Sequence, residues 1–240
     1  MNSKYSTEGD LLCNSKITDE TYRTSERCKN LTYNYGDSAS WQNIYDITVP
    51  VNIIREQCLN KNIEFEVNYI KTKYKTIIND NSKYIIPMNS GCYVKYENIK
   101  YEFIQSHIHE HSENSIDGEY FPIEMHFVHK SINNELLVLA LLFDIDDDSI
   151  FPKILFDSED GEIMILDLSF LNILEELPCY IFKGTLTTPP FTDNVRWIVY
   201  SPIENNGLTI TNEMYEATIK YCKNNHITNF KSDLTIYYRN

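Results

Sequence analysis

The sequence predicts one mainly β domain with a few short helices. Three observations point there. From Leu31 onward the apolar residues fall in short alternating or continuous runs separated by turn residues, as strands do. Only one stretch, near the C-terminus, carries helical spacing over more than two turns. No internal repeat or flexible linker divides the 240 residues, a length that a single β domain commonly reaches.

The elements follow in order. Residues 1–30 are polar and aperiodic, and read as an N-terminal extension ahead of a domain spanning 31–240. Ile63 to Ile70 alternates, with Ile63, Phe65, Val67 and Tyr69 on one face and Glu64, Glu66 and Asn68 on the other. Tyr74 to Ile78, Lys83 to Met88 and Tyr93 to Tyr96 are further short strands. Lys100 to His109 and Phe121 to His129 come next, split by a turn at Asp117-Gly118. Leu136 to Phe143 is continuously apolar, as a strand buried on both faces would be. Phe151 to Leu174 mixes turns with a short helix, and Tyr180 to Gly184 and Val195 to Ser201 return to strand patterning. A final helix runs from Asn212 to Lys223, capped by Thr211 or Asn212.

Composition excludes several functions. Lys and Arg total 21 against 35 Asp and Glu, a net charge of -14 that repels polyanions, so nucleic acid is not an expected partner. The acidic run Asp144 and Asp146 to Asp148 lacks a calcium-loop pattern and reads as a solvated turn. No segment approaches the ~20 apolar residues needed to span a bilayer, and Met1 to Asp10 lacks the apolar core of a signal peptide. The six cysteines include no Cys-x-x-Cys pair, which argues against a cysteine zinc site; an even count permits disulfides of unspecified connectivity.

Five of the six histidines lie between 107 and 129. In a strand, Gln105, His107 and His109 share one face; in the return strand, Glu124, His126 and Val128 do the same. Pairing these strands brings three imidazoles together. A His-x-His pair alone is ordinary strand surface. Three neutral imidazoles leave a fourth tetrahedral position open, as in a catalytic zinc site. A ligating His usually donates its second ring N–H to an acceptor, and Gln105 and Glu124, two residues before His107 and His126, are placed for that role.

The run from Gln105 to Gly118, with Glu124 to His129, resembles the zinc signature of α-class carbonic anhydrases. A second block, Gly184 to Pro190 followed by Val195 to Val199, is similar to that family's active-site loop and the strand after it. Weaker echoes occur at Tyr33 to Gly36 with Trp41, at Pro50 to Ile53 and at Leu136 to Leu142. The resemblance implies a large twisted, mostly antiparallel sheet of about ten strands with short peripheral helices. It implies a Zn2+ cofactor on His107, His109 and His126, and hydration of carbon dioxide to bicarbonate by zinc-bound hydroxide. Thr187 would accept a hydrogen bond from that hydroxide and donate its own proton to Glu113. Val128, Val138, Leu186, Thr188 and Trp197 would form the substrate pocket, with the apolar members as a wall for carbon dioxide. Inhibitory anions and sulfonamides would be further ligands.

The family pattern is not complete. Ser82 stands where fast members carry the proton-shuttling His, so slowed proton release is expected; His111 is a weaker substitute. Asn114 replaces a commonly buried His, which predicts a missing member in the polar network near Glu124. Thr48-Val-Pro-Val51 replaces a more polar segment and puts one core contact in doubt. Phe191 and Thr192 occupy the place of a Cys that members outside the cytoplasm pair in a disulfide, which weakens the family's slight preference for the secretory pathway. His129 points away from the metal by strand parity and reads as structural. Two alternatives remain at this point: a non-catalytic binding module on the same fold, and a zinc hydrolase acting on esters.

Overall fold

The computed structural model describes residues 47–79, 82–188, 191–222 and 233–240. The expected extension, and the echo at Tyr33 to Gly36 with Trp41, lie outside the described residues. The strands are β1 (Asn52–Ile53), β2 (Leu59–Asn60), β3 (Phe65–Asn68), β4 (Lys71–Asn79), β5 (Ser82–Pro87), β6 (Tyr93–Tyr96), β7 (Ile99–Glu110), β8 (Ser115–Ile116), β9 (Ile123–Ser131), β10 (Leu136–Ile145), β11 (Ile163–Asp167), β12 (Cys179–Gly184), β13 (Val195–Tyr200), β14 (Thr209–Ile210) and β15 (Tyr237–Arg239). Among the described residues there are also two short α-helices, α1 (Ile154–Asp157) and α2 (Asn212–Ile219), and 3-10 turns at Arg55–Gln57 and Ser169–Glu175.

One sheet of 13 strands dominates, with ten of them on a continuous path β11-β4-β5-β7-β9-β10-β13-β12-β15-β2. The mainly β, mostly antiparallel architecture agrees with expectation. The sheet is nonetheless mixed, because β10 and β13 run parallel at its centre. Parallel neighbours need a long crossover, and the chain between Ile145 and Val195 supplies one that carries α1, β11 and β12.

Strand β11 falls inside the segment read as turns and a short helix. Ile163 and Ile165 are exposed while Met164 and Leu166 are buried. With apolar residues on both faces of an edge strand, no alternation marks it in the sequence. The C-terminal helix is shorter than expected, but Thr211 caps it as read, its side chain accepting from the Met214 N–H at 3.2 Å.

The sheet separates two apolar layers. Phe103, Ile108, Met125, Phe127 and Leu139 pack on one face with α2 and the Ser169–Glu175 turn. Val128, Val138, Ala140, Leu186 and Trp197 pack on the other. His129 lies on the first of these faces. Its Nε2 meets the Tyr69 hydroxyl at 2.7 Å and its ring tilts against Phe103, and burial lowers its pKa to about 3. It is the structural residue that strand parity indicates. Cys58, Cys92, Cys179 and Cys222 are free thiols. Among the described residues no helix is long and apolar enough to cross a membrane.

Lys83 on β5 is a buried cation. Its Nζ donates to the Phe156 carbonyl at 2.7 Å and faces the Tyr221 ring, and burial lowers its pKa to about 8. A base whose pKa falls on folding binds fewer protons in the native state, so its penalty is full below pH 8 and is relieved as pH rises towards 10.5. Lys83→Met should therefore be more stable than the parent at pH 7. By pH 9 its advantage should shrink by roughly 1 kcal/mol. Urea unfolding at the two pH values measures this, and a pH-independent difference would contradict it.

Candidate metal centre

Strands β7 and β9 pair antiparallel with His107 opposite His126, His109 opposite Glu124 and Gln105 opposite Val128. Directly opposed residues share a face, so this register brings the three imidazoles together on the Val128 side of the sheet. A bulge between Phe103 and Gln105 adjusts the pairing just before the motif. One ring nitrogen from each His lies within 4.8 Å of the others, and all three side chains are buried.

Acceptors hold the His107 and His126 rings from outside, and a carboxylate stands beside that of His109. His107 Nδ1 meets Gln105 Oε1 at 2.9 Å, and His126 Nε2 meets Glu124 Oε1 at 2.7 Å. Glu113 Oε1 stands 3.6 Å from His109 Nδ1, a charge contact slightly too long for a hydrogen bond. A carboxylate or amide oxygen can only accept, so His107 and His126 donate their outer N–H groups and turn bare lone pairs inward. Those inner atoms, His107 Nε2 and His126 Nδ1, face each other at 3.2 Å. Two lone pairs at that distance repel unless a cation lies between them. Two nitrogens each about 2.05 Å from a tetrahedral zinc would stand about 3.3 Å apart. The three-imidazole donor set and the spacing of this pair therefore fit zinc. Burial, with the neighbouring His109 and His126 rings, holds His107 well below the usual imidazole range, so it stays neutral, as a ligand must.

Glu124 is fully buried and fully engaged. Its Oε2 accepts the backbone N–H groups of Glu113 and Asn114, both at 2.8 Å, and its Oε1 also accepts Asn114 Nδ2 at 2.6 Å. Burial alone raises its pKa; the His126 ring, the hydrogen bond to it and the Asn114 backbone N–H outweigh that and leave it below the usual carboxylate range. Here the structure corrects the sequence reading. Asn114 does not leave the network short, because its amide spans Glu124 on one side and accepts the Val51 N–H at 3.0 Å on the other. Thr48 likewise keeps a polar contact, a reciprocal pair of backbone-to-hydroxyl bonds with Thr185 at 3.3 and 3.1 Å.

Val128, Val138, Leu186 and Trp197 are buried in one apolar cluster on the His126 face, with the Trp197 ring 5.1 Å from His126. Thr187 and Thr188 follow Leu186, and both are fully buried with Oγ1 atoms that have no hydrogen-bond partner among the described residues. Thr187 is thus not hydrogen-bonded to Glu113 in this structure. Ser82 begins β5 and is buried; parity puts it on the same face as Tyr84, which pairs with His107. Tyr84, absent from the sequence reading, lays its ring 5.6 Å from that of His107. Pairing β5 with β7 in the sequence would have exposed it. His111 lies just past β7 with its ring against Tyr120.

The family model for eukaryotic-type carbonic anhydrase matches residues 46–240, four-fifths of the chain and the whole of the sheet and His cluster. The chain belongs to that family. It is 32% identical over 160 residues to a carbonic anhydrase of Pectobacterium atrosepticum, covering 62% of this chain and 63% of the relative. The match thus spans less than two thirds of that relative's length. The fold agrees with that of the Photobacterium profundum α-carbonic anhydrase, with a TM-score of 0.68 at 24% identity over 85% of this chain and 96% of the other. It also agrees with the Thermovibrio ammonificans α-carbonic anhydrase, solved with sulfanilamide, with a TM-score of 0.70 at 22% identity over 87% and 99%.

Outer partners of metal ligands typically contribute 10–100-fold in affinity. Glu124→Gln, which keeps the shape but weakens the acceptor and its charge, should lower zinc affinity by about tenfold or more in a chelator competition. An unchanged affinity would show that this carboxylate does not support His126.

Proposed function

We propose that the protein catalyses the reversible hydration of carbon dioxide to bicarbonate and a proton, with zinc held by His107, His109 and His126. One observation carries this reading: three buried imidazoles converge, one ring nitrogen of each within 4.8 Å of the others, beside an apolar wall, in a chain of the carbonic anhydrase family. Bound zinc supplies Lewis acidity, lowering the pKa of water to about 7.

The remaining work falls to the chain's own residues. Gln105 and Glu124 fix the orientation of the His107 and His126 rings, and the Glu113 carboxylate stands 3.6 Å from His109 Nδ1. Val128, Val138, Leu186 and Trp197 offer carbon dioxide, a small apolar gas, a surface without competing hydrogen-bond donors. Thr187 and Thr188 stand beside that wall with uncommitted hydroxyls. In this reading Thr187 orients the attacking oxygen, and Glu113 accepts the Thr187 proton so that its oxygen can only accept. Anions and sulfonamides are the expected inhibitors.

Proton release is the slow step in this proposal. Ser82 carries a hydroxyl that does not titrate near neutrality, so it cannot pass a proton to solvent as an imidazole does. In weak buffer, Ser82→His should raise stopped-flow turnover about tenfold or more, and added imidazole should raise the parent's rate in the same way. A parent rate indifferent to imidazole would remove the claim of limited proton transfer.

The reaction itself is tested by metal content and hydration rate measured on one preparation. One zinc per chain with measurable hydration is expected, and His107→Ala should lose both. Equimolar zinc without hydration would indicate a binding module, and absence of zinc would overturn the assignment.

A further inference from the structure

Away from the metal centre, basic side chains gather around one concavity. A cavity of about 330 Å3 is bordered by Lys61, Tyr96, Glu97, Lys183, Arg196 and Tyr237. Lys183 on β12 and Arg196 on β13 stand directly opposite each other, and opposed residues share a face. Along β13, Arg196 alternates with Val195 and Trp197, which lie in the apolar layer beside the His cluster. Arg196 and Lys183 therefore point to the other face of the sheet.

This pairing runs against what a sheet favours. Like charges directly opposite destabilise a strand pair, and burial sharpens the cost for Arg196, which is 8% exposed. Its guanidinium lies 4.2 Å over the Tyr96 ring, and its Nη2 is 3.1 Å from Glu97 Oε2. Lys61 Nζ stands 4.6 Å over the Tyr237 ring. Neither Lys61 nor Lys183 forms an ion pair among the described residues. Three cations thus share one carboxylate, a local excess of two positive charges in a chain of net charge -14.

The geometry narrows the ligand. Glu97, with a side chain 59% exposed, already brings a carboxylate oxygen to Arg196 Nη2. An exposed side chain that reaches this nitrogen shows that an oxyanion at the cavity can reach it too. A guanidinium carries five N–H donors in a fork that matches carboxylate and phosphate oxygens, and Glu97 and the Tyr101 hydroxyl engage only part of that fork. The exposed Lys61 and Lys183 add two ammonium groups at the same place. An excess of two positive charges suits a dianion better than a single carboxylate. Ile63, Ile181 and Tyr237 give the cavity an apolar side on which an organic body can rest.

We propose that this cavity binds a dianionic phosphate group, held by Arg196, Lys183 and Lys61, which displaces the Glu97 carboxylate from the guanidinium. The group arrives as inorganic phosphate or as the phosphate end of a small ester; the two share the same contacts. The site is separate from the chemistry proposed above and does not depend on it.

The test uses the whole protein at constant ionic strength, with inorganic phosphate and phenyl phosphate as probes. Titration followed by methyl NMR should shift Ile63 and Ile181 in the parent, and equally in His107→Ala, whose metal centre is disabled. Lys183→Ala should weaken phosphate binding about fivefold, and Glu97→Gln, which removes the competing carboxylate, should strengthen it by a similar factor. Lys183 and Glu97 are both exposed, so these two changes leave the fold intact, and their comparison stands even if His107→Ala fails to fold. Phenyl phosphate binding several-fold more tightly than inorganic phosphate would assign the site to an ester, and equal affinities would assign it to the free anion. The proposal is overturned if Ile63 and Ile181 stay in place at tens of millimolar phosphate, or if affinity is indifferent to both Lys183→Ala and Glu97→Gln. Shifts confined to Val128, Val138 and Leu186 would also overturn it, by placing the anion at the metal centre.

Discussion

The antiparallel register of β7 against β9 is the constraint on which the site depends. With His107 opposite His126, the two ring nitrogens meet at 3.2 Å. Side chains alternate along a strand, so a slip of one residue would send His126 and Glu124 to the other face, into the layer of Ile108 and Phe127. The neighbours oppose such a slip. Strand β9 is buried along its whole length and is locked on its far side by β10, pairing Val138 with Val128 and Ala140 with His126. The same registers that position the rings also place the apolar wall, because Val128 and Val138 sit on the His126 face.

Holding carboxylates inside such a sheet is expensive unless every lone pair is used. Glu124 shows how the expense is met, with two backbone N–H groups, the Asn114 amide and the His126 ring converging on its two oxygens. The segment from Glu113 to Ser115 is therefore part of the site's frame as much as a connection. Its β8 end is fastened to β1 by the pairing of Ser115 with Asn52, and the Val51 N–H closes on Asn114 Oδ1. Asn114 thus bridges the N-terminal segment to the Glu124 carboxylate, and it is a stronger determinant of ring orientation than its replacement of a His suggested.

Much of this was legible in the linear sequence. The alternation of Gln105, His107 and His109, and of Glu124, His126 and Val128, states the face of each strand before any coordinate is known. The cap at Thr211 was readable for the same local reason. What failed to read was non-local. Strand β11 presents Ile to solvent and Met and Leu to the core, so the pattern that marks a half-buried strand is absent. Tyr84 reaches His107 only because β5 pairs beside β7, a choice made 23 residues away in sequence.

The sequence by itself determined the chemistry available here: three imidazoles, their two nearest acceptors and the face on which they stand. Those follow from side-chain identity and the two-residue period of a strand, which are local properties. Only the tertiary structure decided that Glu113 would back His109, that Asn114 would complete the Glu124 shell, and that Thr187 would sit unpaired beside the wall. Each depends on a backbone segment brought in by pairings far along the chain, and burial then turns these meetings into requirements, because a polar group without water must find its partner in the fold.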